Sequence, residues 1–342
     1  MLRLDANEGR CLLSENDLRE ILSPEIARRY PVRGLLEGPL AERLGLPASC
    51  VLATAGADDA IDRAVRTLAG PGGLVMSTHP GFVEFLAAAQ RSSAMYASIS
   101  KDPFGPFPIR EICEALREKR PQLLILSSPD NPSGGVLSPT GLAEIAAACG
   151  ESGTIFIFDA TYGDFSPNTA TPADAFAFSN VLVSGSFSKS RGLAGFRIGY
   201  VAGGPQMEGI IGRLAEAGPP FSLSSSAIEA GRRALSIDPD RVKAFVDEIR
   251  REVRELSALL KSMDFLVSES EANFVLIRAD EAIPLAAALR RKEIFVRTWQ
   301  GKPGYEDLVR ITVPGEAGEF GELTEAIISV GKIMGINKEA LA

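Results

Sequence analysis

Short, wholly apolar runs alternate with amphipathic stretches along the first two-thirds of the chain. LLIL within residues 122–127 and IFIF within 154–158 have no polar face, and 51–54, 74–77, 95–99, 180–184 and 197–202 also read as strands. Strands covered on both faces suit a parallel sheet flanked by helices. Between them, residues 58–68 place apolar side chains at 60, 61, 64, 65 and 68, which is helical spacing. Residues 35–44, 81–91, 109–118 and 139–150 also read as helices. The alternation predicts an α/β fold, with a mainly parallel sheet sandwiched by helices and ligands at the carboxyl ends of its strands. After residue 238 the pattern changes. One long, charge-laced helix is predicted over 239–263, then strands at 273–278, 294–297 and 308–313 and helices at 283–291 and 318–335. The expected organisation is an N-terminal arm over 1–29 packing on the small domain, a large domain over 30–238, and a smaller α+β domain over 239–342.

Composition narrows the function. With 36 basic and 44 acidic side chains the net charge is -8, which argues against nucleic acid as a partner. No apolar run approaches the ~18 residues of a membrane helix. The opening MLRLDANEGR carries four charges and no apolar core of a signal peptide, so the expected compartment is the cytoplasm. His79 is the single histidine, which excludes a His-rich metal site and leaves no metal expected. Cys11, Cys50, Cys113 and Cys149 form no CxxC pair and read as small core residues.

Four clusters fall at predicted strand ends: TAGADDAI (54–61), SSPDNPSGG (127–135), FDATYGDF (158–165) and SGSFSKSRGLAGFRIGY (184–200). In the last, Lys189 sits among Ser186 and Ser188 with Arg197 eight positions on. A neutral lysine amine condenses with an aldehyde, and hydroxyls with a guanidinium cradle a phosphate. Amides at a helix start, as at Ala57 and Asp58, add donors for an anion. Taken alone, this run also reads as a flexible Ser/Gly loop with a solvated lysine.

Together and in this order, the clusters resemble the fold-type-I pyridoxal-phosphate (PLP) enzymes, in particular class I/II aminotransferases of the histidinol-phosphate aminotransferase kind. RYP at 29–31, ANF at 272–274, Arg297 in IFVRTW and Arg310 in LVRITV extend the resemblance over residues 4–335. It implies pyridoxal 5'-phosphate held covalently by Lys189, which would also move the Cα proton. Asp159 would pair with the ring nitrogen, and Asn131 and Tyr162 with the phenolic oxygen. Ser186, Ser188, Arg197, Ala57 and Asp58 would hold the phosphate, and Phe82 would stack on the ring. Tyr30 would reach the neighbouring subunit's phosphate, which implies a homodimer. Arg310, Arg297 and Asn131 would bind substrate. The implied reaction moves an amino group between a small-molecule donor, an amino acid or phosphorylated amine, and a 2-oxo acid.

Two departures bear on substrate. Phe82 stands where the family usually has tyrosine, and Asn7-Glu8-Gly9-Arg10-Cys11 lacks the family's proline and phosphate-side tyrosine. A decarboxylase resembling threonine-phosphate decarboxylase, or a PLP cyclase or oxidase, therefore stays open at the level of sequence. His79 precedes the stacking position and reads as a structural residue.

Overall fold

The computed structural model describes residues 1–336, so the last six residues of the expected 239–342 domain lie outside the described residues. Twelve strands occur among them: β1 Leu2–Leu4, β2 Val51–Thr54, β3 Leu74–His79, β4 Met95–Ser100, β5 Leu123–Ser127, β6 Ile155–Asp159, β7 Val181–Ser186, β8 Gly199–Gly203, β9 Leu266–Val267, β10 Phe274–Arg278, β11 Ile294–Thr298 and β12 Leu308–Thr312. They form two sheets. The large one has the order β2-β8-β7-β6-β5-β3-β4. Its neighbours from β7 to β4 pair in parallel, while β8 runs antiparallel to both β7 and β2. The predicted, mainly parallel sheet is therefore present, with β8 as its one reversed strand.

Its central strands are buried because helices cover both faces. Phe156 and Phe158 pack under helices Ile109–Lys119 and Pro139–Ser152. Ile125, Ile157 and Leu182 pack under helices Ala57–Ala64, Val83–Arg91 and Glu208–Glu216. Helices Gly34–Leu44 and Ser225–Leu235 cover the β2–β8 side. The last of these and Glu208–Glu216 fall in a stretch whose sequence pattern predicts no element. Glycines at 209, 212 and 231 weaken their helical signal. Gly231 has a packing reason, since a Cβ there would lie 3.0 Å from Leu36 Cδ2.

The small sheet has the order β1-β11-β12-β10-β9, with β1 parallel to β11 and the other pairs antiparallel. The long helix Pro239–Ser262 covers one face, with Ala282–Arg291 and Ala317–Met334 beside it. The N-terminal arm divides between both bodies. Leu2 and Leu4 join the small-domain core, while Leu13 and Ile21 pack on the large domain. An arm packing on the small domain thus describes residues 2–4 and not 13–21, because helix Glu15–Ile21 buries its apolar side against Ser225–Leu235. Among the cysteines, Cys50, Cys113 and Cys149 are buried, but Cys11 is exposed, so it is not a core residue.

Five loops, those that follow β2, β3, β5, β6 and β7, the last leading into the reversed β8, open at one edge of the large sheet. This is the geometry of a parallel sheet, in which every strand delivers its carboxyl end to the same side. The cavity-facing side of the small sheet closes over that edge.

Candidate active site

A cavity of about 570 Å³ lies between the two sheets. That is within the ~300–1,000 Å³ of ordinary ligand sites. Ala57, Asp58, Phe82, Asn131, Asp159, Tyr162, Ser186, Ser188, Lys189, Arg197, Arg297 and Arg310 all line it. Of the residues singled out from sequence, Tyr30 does not. It is 78% exposed and stacks on Phe221 at 4.6 Å. His79 also stays outside the lining, and its ring meets Tyr305 edge-on at 5.1 Å.

The floor is built from strand ends. Asp159 closes β6 and is buried. Its Oδ1 accepts from Thr161 Oγ1 at 2.7 Å and from Thr161 N at 3.3 Å. Burial pushes its carboxyl up to about 6 from an ordinary 3.8, and Asp58 adds to the shift. Two hydrogen bonds do not offset the lost solvation, so this carboxylate gains from a cationic partner. Lys189 follows β7, and burial followed by the Arg310 charge lowers its ammonium to about 8. Its Nζ donates to Ala6 O at 3.0 Å and lies 5.6 Å from the centre of the Tyr162 ring. Tyr162 is buried, which pushes its phenol up to about 12, and its hydroxyl accepts from Asn7 Nδ2 at 2.9 Å.

A second group of donors gathers at the start of helix Ala57–Ala64. First-turn amides have no acceptor within their own helix, so they are open to an anion. Arg197 bridges to this helix through Asp58 Oδ2 at 3.1 Å. Gly56 suits this turn by its backbone conformation, and it leaves space for the end of the Arg197 side chain. Its φ is +87°, and a Cβ would stand 2.7 Å from Arg197 Nη2. Ser186 and Ser188 complete the cup from the end of β7.

Arg310 comes from the small sheet and is 5% exposed. Its Nη1 donates to Asn131 Oδ1 at 2.6 Å and its Nη2 to Asp5 O at 2.8 Å. Burial lowers its guanidinium to about 10, and the nearby Arg297 adds to that. Nε has no hydrogen-bond partner although it is buried. Arg297 sits directly across from it in the β11–β12 pairing.

Four residues of this cavity carry no sequence signal that singles them out. Asn7 ties Tyr162 to Thr312, since its Oδ1 accepts from Thr312 Oγ1 at 2.8 Å. Trp299 lies under both guanidiniums, 5.7 Å from Arg297 Cζ and 5.6 Å from Arg310 Cζ. Arg3 and Asp5 enter from β1 and the residues after it. Asn7 lies in a motif read only for what it lacked, Arg3 and Asp5 reach the cavity only when β1 joins β11, and Trp299 meets Arg310 only through the β11–β12 pairing. The altered arm has a steric basis as well. A Cβ on Gly9 would lie 1.6 Å from Lys189 O, so residue 9 stands against the lysine loop with no room for a side chain.

The donor set fits a pyridine aldehyde phosphate. A buried carboxylate seeks a cation, a lysine is held toward its neutral amine, and a helix start with serines and an arginine accepts an anion. This combination defines an enzyme acting on amino groups through pyridoxal phosphate. Residues 28–327 match the family described as aminotransferase class I and II, and the chain belongs to that family. Histidinol-phosphate aminotransferase of Chromobacterium violaceum is 30% identical over 335 residues, 95% of this chain and 91% of that protein. The crystal structure of histidinol-phosphate aminotransferase from Sinorhizobium meliloti in complex with pyridoxal-5'-phosphate superposes with a TM-score of 0.86 at 22% identity, over 97% of this chain and 91% of that one. L-threonine-O-3-phosphate decarboxylase from Porphyromonas gingivalis shares the fold at a TM-score of 0.80 and 22% identity, over 97% of this chain and all (100%) of that one. The chain is a PLP-dependent aminotransferase with the fold-type-I architecture.

The Asp159 shift predicts a pH-dependent stability. A carboxyl raised in the folded state stabilises fully below its unfolded value, near 3.8, and the benefit is lost as pH rises through about 6. In the cofactor-free protein, Asp159→Asn should therefore be more stable than wild type at pH 8, by up to ~3 kcal/mol. The gap should close near pH 4. Urea unfolding at both pH values measures it, and a gap independent of pH overturns the assignment.

Proposed function

We propose that this aminotransferase takes its amino group from an amino acid or a phosphorylated amine, as a histidinol-phosphate aminotransferase does, and passes it to a 2-oxo acid. The supporting observation is the convergence of Lys189, Asp159 and Arg310 on one cavity, with a buried guanidinium whose Nε lacks a partner. Such a guanidinium is suited to a substrate carboxylate or phosphate, which it can grip by two parallel hydrogen bonds.

In this reading the chain's residues divide the work. Bound pyridoxal phosphate supplies an electron sink for negative charge developing at the substrate's Cα. Lys189 would hold the cofactor through Nζ, and when released would take the Cα proton and return it one position along. With its ammonium near 8, a useful fraction of the amine is neutral close to physiological pH. Asp159 would hold the ring-nitrogen end and keep a proton there. Tyr162 and Asn131 would hydrogen-bond the phenolic oxygen, and Phe82 would cover the ring face. Ser186, Ser188 and Arg197, with the amides of Ala57 and Asp58, would hold the phosphate. Arg310 would orient the substrate's acidic group, with Asn131 fixing the guanidinium, and Arg297 would set specificity farther out. The division near residue 238 separates the part that would hold the cofactor from the part that carries both arginines.

The same reading includes a cytoplasmic homodimer. Among the described residues no helix is long and apolar enough to cross a membrane. Tyr30, Val32, Leu35 and Phe221 are each more than half exposed, an apolar group that suits burial against a second copy. Tyr30 would then reach the partner's phosphate cup.

Three outcomes are expected. Borohydride reduction of the holoenzyme should place a pyridoxyl mass on the Lys189 peptide, and mixing with an amino donor should yield an oxo acid without carbon dioxide. A mass on another lysine removes Lys189, and carbon dioxide release makes the enzyme a decarboxylase. Arg310→Lys should keep the fold and the cofactor absorption yet raise KM for acidic donors by ~30-fold or more, the scale of a lost charged hydrogen-bond pair; wild-type kinetics on all of them would end its role. Light scattering should give a dimer, and a fully active monomer would refute the role of Tyr30.

A further inference from the structure

Behind the lysine loop lies a second cavity, of about 290 Å³. That is the lower end of the ~300–1,000 Å³ range of ligand sites. Thr161 and Ser186 line both cavities, so the two stand back to back across the ends of β6 and β7. The polar groups of the second cavity come from separate elements. On helix Gly34–Leu44, the spacing of Leu40, Arg43 and Leu44 puts them on one side, and all three line the cavity. Tyr200 on β8 stands directly across from Gly185 on β7. A Cβ on residue 185 would overlap the Tyr200 ring, so the glycine is what lets the phenol lie over β7. Arg191 follows Lys189 by two residues and is 7% exposed.

Donors outnumber acceptors in this space. Arg191 Nη1 donates to Asp164 Oδ2 at 3.1 Å and to Ser190 Oγ at 3.2 Å, and Ser190 Oγ donates to the same Asp164 oxygen. Among the described residues Arg191 Nε and Nη2 and the Tyr200 hydroxyl have no hydrogen-bond partner, and Arg43 has no ion pair. Two guanidiniums against one carboxylate leave one positive charge over. Burial lowers the Arg191 guanidinium, and the Arg43 charge adds to that, so the two cations repel across the cavity. Leu40, Leu44, Phe187 and Leu235 supply apolar walls. Unused donors, a single surplus positive charge and apolar walls describe a small organic anion of one charge. A guanidinium fork takes a carboxylate by two parallel hydrogen bonds.

We infer that this second cavity binds a small organic monocarboxylate through Arg43, Arg191 and Tyr200, and that its occupant opposes pyridoxal phosphate across the shared wall. The binding stands on the second cavity alone, while the opposition rests on the cofactor contacts proposed above. Ser186 belongs to the phosphate cup, and Thr161 donates to Asp159 at 2.7 Å. Anions on the two sides of one wall repel. A negative charge behind Lys189 also favours its ammonium over the amine that holds the cofactor. Coupling of this kind is reciprocal, so each ligand weakens the other by the same factor.

Calorimetric titration of the holoenzyme with benzoate, and with benzamide as its neutral counterpart, reads the site without turnover. Benzoate should bind and benzamide should not. Arg43 is exposed and lies outside the first cavity, so Arg43→Gln leaves the cofactor and substrate contacts in place. That variant should weaken benzoate roughly tenfold or more, the scale of one lost charged hydrogen-bond pair. Tyr200→Phe should weaken it by less. Saturating benzoate should raise the dissociation constant of pyridoxal phosphate roughly fivefold or more, and Arg43→Gln should remove that effect. An isotherm identical in wild type and Arg43→Gln overturns the inference, because benzoate then binds only in the first cavity. Equal binding of benzamide overturns it too, and a cofactor affinity indifferent to benzoate overturns the opposition. A pyridoxyl mass on a lysine other than Lys189 would refute the cofactor contacts instead, and the benzoate isotherms would still decide the second cavity.

Discussion

Arg310 is the constraint around which the molecule closes. A guanidinium cannot shed its charge, so one that is 5% exposed needs acceptors, and two of its three nitrogens have them while Nε does not. Here the acceptors come from far apart in the chain: Asn131 after β5 and the carbonyl of Asp5 after β1. The faces of Phe274 and Trp299 cover the rest, at 5.2 and 5.6 Å. Meeting the needs of one side chain therefore fixes the small sheet, the arm and the large-sheet edge relative to one another.

Other contacts across the same seam follow the same logic. Asn7 links Tyr162 to Thr312, and Asn273 donates to Asn7 O at 3.3 Å. Tyr305 donates to Gly81 O at 2.7 Å and accepts from Gly81 N at 2.8 Å, which ties the small-sheet loop to the segment leading into Phe82. Glu271 N donates to Gly134 O at 2.9 Å, beside the Asn131 loop. Each of these reaches a loop that carries a proposed cofactor or substrate residue. The seam that joins the domains is thus also the frame of the site.

Electrostatics inside the cavity follow from that enclosure. Burial raises Asp159 and lowers Lys189, so each is held toward its neutral form and both gain from a partner that restores charge balance. Lys101 and Asp130 show the contrasting case. They form a buried ion pair at 2.6 Å next to Asn131, and Asp130 also accepts from Ser133 Oγ at 2.6 Å. There the charges are paired within the chain and stiffen the loop. At Asp159 and Lys189 they are left for a ligand.

The sequence by itself determined the elements whose pattern is local. Apolar runs such as IFIF could only be strands covered on both faces, and the order of motifs along the chain placed Asp159 and Lys189 at strand ends. It also pointed to the cofactor class, because the ordered series of clusters at strand ends, and not the lysine run alone, resembles the pyridoxal-phosphate enzymes. Tertiary structure alone decided the rest. The reversed direction of β8 depends on which strand it pairs with, and nothing in its own residues encodes that. The helices at 208–216 and 225–235 are stabilised by the sheet beneath them, which overrides their glycines. Arg3 and Asn7 become part of the cavity because β1 adds to β11, a pairing of residues almost 300 positions apart, and Trp299 because β11 pairs with β12. Side-chain neighbours at that separation are set by topology, and topology is a property of the folded chain.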